Sequence, residues 1–367
     1  MPRNFSIAFF MHSLRSDWNN GHAHFMRGLV RALGQMGHTV TCFEREAGWS
    51  IDNLREEGEA GHRSLLQFES TYPDIRIVFH TADKDVLREG LRNTEVVVVH
   101  EWNAPDLIRV LLELRDELAF QILFHDTHHR ASSSPEAIAN LEVARFDGVL
   151  AFGRALQEIY QSRFGLERVW TLHEGADTSV FHPRNEPKTI DAIWVGNWGD
   201  EERSREICEY LIRPAGSLRQ YSYVVHGVRY PPHGLEALRD AHIRYGGYLP
   251  NLDAPKKYAA ARLTFHIPRQ QYSTAMTGIP TIRVFEALAS GIPLISAPWS
   301  DSEALFRPGD FRMASSGAEM TSAILQLLQD PVRASEQAAH GLETILARHT
   351  CSHRAQEFTS ICEELTA

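Results

Sequence analysis

Short runs of apolar residues alternate with longer amphipathic segments along almost the whole chain, and this alternation restricts the possible folds more than any other feature. Strands that are buried on both faces have such apolar sequences. Strands that alternate with helices form parallel, doubly wound sheets. The first half of the chain is therefore predicted to be a Rossmann-like α/β domain. Its apolar runs lie at 6–11, 39–43, 75–79, 95–100, 119–125, 148–152 and 168–172.

The alternation pauses at HEGADTSVFHP (173–183) and NEPKT (185–189), where Gly, Pro, Asp and Asn cluster as they do in linkers. A chain of 367 residues also exceeds the usual size of one hydrophobic core. We therefore predict a second α/β domain. Its apolar runs lie at 189–197, 221–227, 242–247, 262–268 and 292–298.

The predicted domains span residues 1–175 and 176–349, and residues 350–367 are expected to form a final helix. Residues 48–70 are polar and weakly patterned, so we predict a long loop or a mobile insertion there. Ligands of doubly wound sheets bind at the C-terminal ends of the strands. Two such halves joined by a linker suggest a binding cleft.

Composition excludes several classes of protein. No apolar run approaches the roughly 20 residues that span a bilayer, although peripheral membrane contact stays open. The first apolar run is not followed by a small-residue cleavage site, and the four cysteines form no CxxC pair. These features predict a cytoplasmic location. A net charge of −10 argues against general binding to nucleic acids.

The segment TGIPTIRVFEALASGIPLIS (277–296) combines a proline, a glycine and two charges in an otherwise apolar stretch. Pro280 is predicted in the first turn of a helix, whose free N–H groups favour phosphate. Arg283 could then contact a phosphate oxygen, and Glu286 could accept hydrogen bonds from two ribose hydroxyls. The alternative is an internal ion pair between these two residues, which are three positions apart.

Several segments, in order, resemble those of the group 1 (family 4) glycosyltransferases. The first contains the glycine loop, first helix and GHxV strand, and the others resemble the linker, the nucleobase segment and the Glu helix that ends in Ala-x-Gly-x-Pro. Three segments resemble the spore-maturation (CgeB-like) branch more narrowly, namely 195–206, TIRVFEAL (281–288) and 348–358. The four segments that resemble the family as a whole are, in chain order, 16–43, 173–183, 242–268 and 286–295.

The resemblance implies a GT-B fold, in which two Rossmann-like domains face each other across a cleft and the last helix returns to the first domain. It implies transfer of a hexose-type sugar from a nucleotide-diphosphate sugar to an acceptor, as in polysaccharide biosynthesis. The commonest donor in such enzymes is a UDP-sugar. It also implies retention of anomeric configuration without a metal ion or other cofactor. The family's first glutamate would fall at Gly278, which counts against a covalent intermediate there.

The resemblance places the donor in the second domain. Arg283 and Arg203, with Arg205 as a substitute for the latter, would stabilise charge on the leaving diphosphate. Glu286 would bind the ribose. The remaining donor-binding candidates are backbone or strand-end positions, namely Gly21, Gly196, Asn197, Tyr248, Leu249, Gly278 and Ile279.

The first domain would supply the acceptor side. His125 ends a predicted strand and matches a family histidine that contacts the donor sugar. Asp126 is the candidate general base. His12, His100 and Glu101, which follow other strands, would line the acceptor.

Three other functions fit parts of the sequence. His125, His128 and His129, with Asp126, have a spacing able to hold Zn²⁺, as in a metallohydrolase, and His100 could add a further ligand. The same fold also supports a nucleotide-sugar epimerase or a phosphorylase. A non-catalytic nucleotide-sugar binder would explain the missing first glutamate.

Overall fold

The computed structural model describes residues 3–199 and 201–367; residue 200, within the family-like segment 195–206, lies outside this description. The chain divides into two compact units. The first comprises Met1–Glu174 and Cys351–Ala367, and the second comprises Gly175–Thr350. Both are built on a parallel sheet, so the predicted pair of Rossmann-like domains is confirmed.

The first unit has a seven-stranded sheet in the order β3-β2-β1-β4-β5-β6-β7. Its strands are β1 Ser6–Phe10, β2 Thr39–Arg45, β3 Ile77–His80, β4 Val96–His100, β5 Gln121–Asp126, β6 Gly148–Ala151 and β7 Val169–Thr171. Its helices before the linker are α1 His22–Gln35, α2 Trp49–Glu56, α3 Glu59–Thr71, α4 Lys84–Leu91, α5 Pro105–Leu118, α6 Arg130–Ser133, α7 Pro135–Ala139 and α8 Arg154–Arg163.

The second unit has a six-stranded sheet in the order β10-β9-β8-β11-β12-β13. Its strands are β8 Ile190–Val195, β9 Tyr223–His226, β10 Ile243–Tyr245, β11 Ala261–His266, β12 Leu294–Ser296 and β13 Arg312–Met313. Its helices are α9 Ser204–Ile207, α10 Arg213–Ser217, α11 Pro232–Asp240, α12 Ala254–Ala260, α13 Gln270–Thr274, α14 Ile282–Ala289, α15 Gly317–Gln329 and α16 Pro331–Arg348.

The last helix, α17 (Cys351–Leu365), packs within the first unit. The Phe358 ring lies 5.7 Å from that of Phe9 on β1. A hydrogen bond of 3.0 Å joins Thr359 Oγ1 to His38 Nε2 at the start of β2. The helix therefore covers one face of the first sheet. None of the helices in the described residues is both long and apolar enough to cross a membrane.

The predicted loop at 48–70 is wrong, because the segment forms α2 and α3. The two helices are short and meet at Gly58, whose φ of +63° suits glycine. Each buries only a narrow apolar side, with Leu54 on α2 and Phe68 on α3. Because the helix breaks in the middle, no single period of 3.6 residues runs through the segment, and the sequence pattern looked weak.

The helix predicted to start at Pro280 starts at Ile282 instead. Thr281 occupies the N-cap position with extended backbone angles, and threonine is a favoured residue there. Arg283 is therefore the second residue of α14. The rest of the helix, Glu286 included, is buried.

Each sheet has one point at which the strand order reverses. In the first sheet it lies between β1 and β4, and in the second between β8 and β11. Loops leave such a pair of strands in opposite directions and open a crevice at their C-terminal ends, where ligands of doubly wound folds bind. The residues that follow these strands are the candidates for a site in each unit.

Replacement of Gly61 by alanine should destabilise the first unit. An alanine Cβ at this position would lie 1.8 Å from the Leu54 carbonyl oxygen. Helices α2 and α3 would have to separate, so we expect the free energy of unfolding to fall by about 1–3 kcal/mol in urea denaturation.

Gly34→Ala is the matched control, because Gly34 lies in α1 and no atom is within 4 Å of its Cβ position. That change should stabilise the protein by about 0.5–1 kcal/mol. If Gly61→Ala were as stable as the parent, the packing of α2 on α3 would be contradicted.

Candidate functional site

Arg203 lies at the crevice of the second unit, just after the loop that leaves β8. Its Nε donates to the Asn197 carbonyl oxygen and its Nη1 to the Ile267 carbonyl oxygen, both at 3.1 Å. Gly199 has a φ of +91°, and a Cβ there would lie 2.8 Å from Arg203 Nε. The glycine therefore allows the guanidinium to lie against its own loop. No carboxylate in residues 3–199 or 201–367 forms an ion pair with Arg203.

Two further arginines, Arg269 and Arg283, lie near Arg203. Burial, followed by the positive charges of Arg269 and Arg283, lowers the pKa of Arg203 to about 10. Arg269 pairs with Glu202, and Arg283 pairs with Glu286. Arg203 thus has only neutral hydrogen-bond partners in a locally positive environment. Such a site favours a multiply charged anion.

His266 ends β11 and is almost completely buried. Its Nδ1 contacts Ser296 Oγ at 2.9 Å, whereas its Nε2 has no hydrogen-bond partner in the described part of the chain. Burial, and then the charge of Arg203, lowers the pKa of His266 to about 3. The indole Nε1 of neighbouring Trp299 is also buried without a hydrogen-bond partner in the described residues.

Glu286 has no exposed surface, and both of its carboxylate oxygens are engaged. Oε2 accepts from Arg283, and Oε1 accepts from Asn251 Nδ2 at 2.9 Å. The internal ion pair that the sequence left as an alternative is therefore present. The predicted bond from Glu286 to two ribose hydroxyls is not compatible with this arrangement, because a ligand cannot reach an acid that has no accessible area.

Gly278 does not provide the N–H group predicted for phosphate. Its N–H donates to the Ser300 carbonyl oxygen at 2.7 Å, and its φ is +91°. A Cβ there would lie 2.6 Å from Ser302 Oγ, so this glycine is required for a tight turn. Ile279, the next residue, is buried.

The remaining donor-side candidates form the walls of the second unit's crevice. The Gly196 N–H donates to the His226 carbonyl oxygen at 2.9 Å, and Asn197 Oδ1 accepts from the Val228 N–H at 2.8 Å. Both residues therefore shape the loop that holds Arg203. Tyr248 and Leu249 are half-buried after β10, and Arg205 is exposed on α9.

Three imidazoles meet at the crevice of the first unit. His22 begins α1 directly after Gly21, His100 ends β4, and His125 lies next to the end of β5. One nitrogen from each ring lies within 4.8 Å of the others. His100 and His125 are paired in the sheet register, so adjacent strands bring these two side chains to the same edge.

All three imidazoles are neutral at physiological pH. Burial is the main cause in each case: it lowers the pKa of His22 to about 3 and those of His100 and His125 well below their usual value. The mutual repulsion of the rings lowers the pKa of His100 further. The cluster therefore offers nitrogen lone pairs instead of positive charge.

Of the histidines that the zinc alternative named beside His125, His100 joins it, whereas His128 and His129 do not. His129 Nδ1 bonds to Ser133 Oγ at 2.9 Å, and the His128 ring packs edge-on against Trp102. His125 lies in a strand whereas helix α6 begins only at residue 130, so the helical spacing assumed for the cluster does not exist. His22 was missed because it begins α1, far in sequence from His100 and His125, so local spacing could not link it to them.

Asp126 cannot act as the predicted general base. It is completely buried, its Oδ2 accepts from the Tyr160 hydroxyl at 2.5 Å, and its Oδ1 accepts from the His128 N–H at 2.9 Å. Burial is the largest cause that raises its pKa. This carboxyl group instead holds the loop after β5.

Glu101 does not line an acceptor surface either. It is 1% exposed, and Arg130 binds its Oε2 through Nε at 3.0 Å and Nη2 at 2.8 Å. Burial and the adjacent Asp126 raise its pKa. His12, in contrast, is half-buried between two exposed aromatic rings, with ring centres 6.4 Å from Trp49 and 6.5 Å from Trp102.

Comparisons with known proteins agree with this architecture. Residues 19–180 match a family model described as Glycosyltransferase Family 4, and residues 203–360 match one described as Glycosyl transferase-like. No curated protein matches the chain.

Solved structures share the fold at low sequence identity. The Anabaena protein HepE in complex with UDP-glucose is 13% identical, with a TM-score of 0.70 over 99% of this chain and 100% of that one. An alpha-glucosyltransferase in complex with UDP and a 13-mer DNA is 12% identical, with a TM-score of 0.71 over 98% and 100%. Sucrose-phosphate synthase from Thermosynechococcus elongatus is 16% identical, with a TM-score of 0.65 over 99% of each chain.

The buried His266 should make stability depend on pH. Its pKa is about 3 in the folded protein, below the usual value of about 6.5 in the unfolded chain. The neutral His266 side chain therefore contributes its full stabilisation of the folded state above a pH of about 6.5, and this contribution is lost as the pH falls toward the folded pKa. Between pH of about 7.5 and about 5, His266 should account for a loss of about 2 kcal/mol.

Urea denaturation at the two pH values tests this contribution. His266→Gln should lose about 2 kcal/mol less than the parent over the interval, whereas His182→Gln, which changes an exposed histidine, should lose as much as the parent. Equal pH dependence in the parent and His266→Gln would contradict the assignment.

Proposed function

The chain belongs to the glycosyltransferases of the GT-B fold, and on that premise we propose that it transfers a sugar from a UDP-sugar to an acceptor hydroxyl. The second unit binds the donor. Among the proteins of similar fold, HepE was crystallised with UDP-glucose and an alpha-glucosyltransferase with UDP. These complexes support UDP as the carrier.

The observation that carries this proposal is Arg203. It is a partly buried cation that contacts two carbonyl oxygens and no carboxylate in the described residues, and two other arginines lie close enough to lower its pKa. It also lies at the point where the strand order of the second sheet reverses. A diphosphate would supply the missing negative charge at the place where doubly wound folds bind nucleotides.

The same arrangement accounts for catalysis. When the bond from the anomeric carbon to the diphosphate breaks, negative charge grows on the leaving oxygen. Arginines that are already fixed in position stabilise this charge without reorganisation. Arg269 and Arg283 are themselves paired with Glu202 and Glu286, so Arg203 supplies the positive charge that would take the place of a divalent cation at the diphosphate.

Glu286 acts in this scheme as a positioning residue. It holds Arg283 at the start of α14 and is itself held by Asn251. Since Asp126 is unavailable as a base, the leaving diphosphate takes the proton of the acceptor hydroxyl. Transfer on the face that the diphosphate leaves gives retention, in line with the family resemblance. Membership of the spore-maturation branch and a cytoplasmic location remain predictions from sequence.

A screen of nucleotide binding and turnover tests the function itself. UDP should raise the melting temperature more than GDP or dTDP does, and a UDP-sugar with a suitable acceptor should release UDP. If no nucleoside diphosphate stabilised the protein and no UDP-sugar were turned over, the proposal would be refuted.

Replacement of Arg203 should weaken UDP binding. Removal of a charged donor from the diphosphate should raise the Kd about 10–100-fold in calorimetry. Arg203→Lys should fall between alanine and the parent, since lysine keeps the charge but not the two-pronged geometry. Arg205→Ala, which removes an exposed arginine two positions away, is the control and should bind UDP normally.

Glu286→Gln distinguishes positioning of Arg283 from direct contact with ribose. If Glu286 acts only through Arg283, the variant should bind UDP and inorganic pyrophosphate more weakly by the same factor, about 5–30-fold. Pyrophosphate has no ribose. A loss confined to UDP would therefore show that Glu286 contacts the sugar.

A further inference from the structure

We propose that His22, His100 and His125 form a binding site for one divalent transition-metal ion, with Zn²⁺ as the best-suited ion. The site lies in the first unit, at the reversal point between β1 and β4. It is separate in sequence and in unit from the arginines assigned to the donor. It adds a ligand that the proposed sugar transfer does not require.

The geometry of the rings is close to that of a metal site. The three nitrogen atoms lie within 4.8 Å of one another. In tetrahedral zinc sites the metal–nitrogen bonds of about 2.1 Å place nitrogens about 3.4 Å apart. Ring rotations that move each nitrogen inward by about 1 Å would complete the coordination.

His22 has the protonation state that a metal ligand needs. Its Nδ1 lies 3.0 Å from Glu174 Oε1 and donates its proton there, so Nε2 carries a lone pair. This Nε2 is buried and has no hydrogen-bond partner in the described residues. A carboxylate behind the ligating imidazole is the usual arrangement in zinc proteins, because it fixes the ring and raises its basicity.

His125 offers a second such atom. The residue is 1% exposed, and its Nε2 is buried without a partner in residues 3–199 and 201–367. A buried polar atom without a partner normally costs stability. His22 and His125 both carry such an atom and belong to the cluster whose nitrogens lie within 4.8 Å of one another, so a ligand there would complete the site.

His100 supplies the third ligand. Its Nε2 contacts Thr127 Oγ1 at 3.1 Å, and its Nδ1 receives the Trp102 N–H at the long distance of 3.4 Å. The shorter contact, between Nε2 and Thr127, fixes the orientation of the ring. The longer contact, at Nδ1, is weak, so a bond from Nδ1 to a metal ion can replace it. Three neutral imidazoles suit Zn²⁺, Co²⁺, Ni²⁺ or Cu²⁺ better than Mg²⁺ or Ca²⁺, which prefer oxygen.

Three protein ligands leave the fourth position of a tetrahedral ion open. In zinc sites with three histidines this position holds water or a ligand oxygen. An ion bound here would therefore present a Lewis-acidic position at the strand ends of the first unit. That position would suit an oxygen-bearing ligand.

Metal titration of the full chain, without a histidine tag and after removal of metals by chelation, tests the proposal. Calorimetry with ZnCl₂ should show one ion per chain, and Co²⁺ should give the visible absorption of a four-coordinate ion. His22→Ala and His125→Ala should each weaken binding about 100-fold or more, and Glu174→Gln about 10–100-fold. His128→Ala removes a neighbouring histidine outside the cluster and should leave the affinity unchanged.

The proposal is overturned if the parent protein binds no stoichiometric Zn²⁺, or if it binds Zn²⁺ equally well after His22→Ala and His125→Ala. Glu174→Gln keeps the shape of the side chain, so it provides a readout even if the alanine variants fail to fold. Unchanged affinity in that variant would also contradict the site, since it would mean that His22 is not the ligand that Glu174 orients.

Discussion

The account of the second unit depends on Arg203, a cation that forms no ion pair with a carboxylate in the part of the chain that the structure describes. Arg203 is held by the carbonyl oxygens of Asn197 and Ile267 and lies against Gly199, where only glycine leaves room for it. A partly buried guanidinium that lies near two like charges is costly unless an anion joins it. The β8 loop holds Arg203, and the segments after β11 and at the start of α14 supply Arg269 and Arg283.

The first unit also has a crevice where its strand order reverses, but the side chains there have a different chemistry. Its strand order also reverses once, and the residues at the reversal point are neutral histidines instead of arginines. Burial is the main cause that keeps these imidazoles uncharged, even though the Glu174 carboxylate lies 3.0 Å from His22 Nδ1. Glu101 and Asp126, whose charges would favour protonated imidazoles, are instead held in a buried network with Arg130 and Tyr160.

Much of the fold was predictable from sequence, because strands buried on both faces produce apolar runs that no other element explains. Each of the predicted runs overlaps a strand, and only the two-residue β13 at the sheet edge was missed. The site was less predictable. Spacing correctly suggested that Arg283 and Glu286 could pair, but it could not show that Glu286 is inaccessible. Local spacing also grouped His125 with His128 and His129, whereas strand register places His100 beside His125, and the start of α1 adds His22. His266 and Arg269 could have been found as residues that end and follow a strand beside the reversal point.

The most direct measurement is a crystal structure of the protein with UDP. We expect the β-phosphate to lie about 2.7–2.9 Å from the guanidinium nitrogens of Arg203, the distance of a charge-assisted hydrogen bond. A diphosphate bound elsewhere, with Arg203 still attached only to Asn197 and Ile267, would contradict the assignment of the donor site.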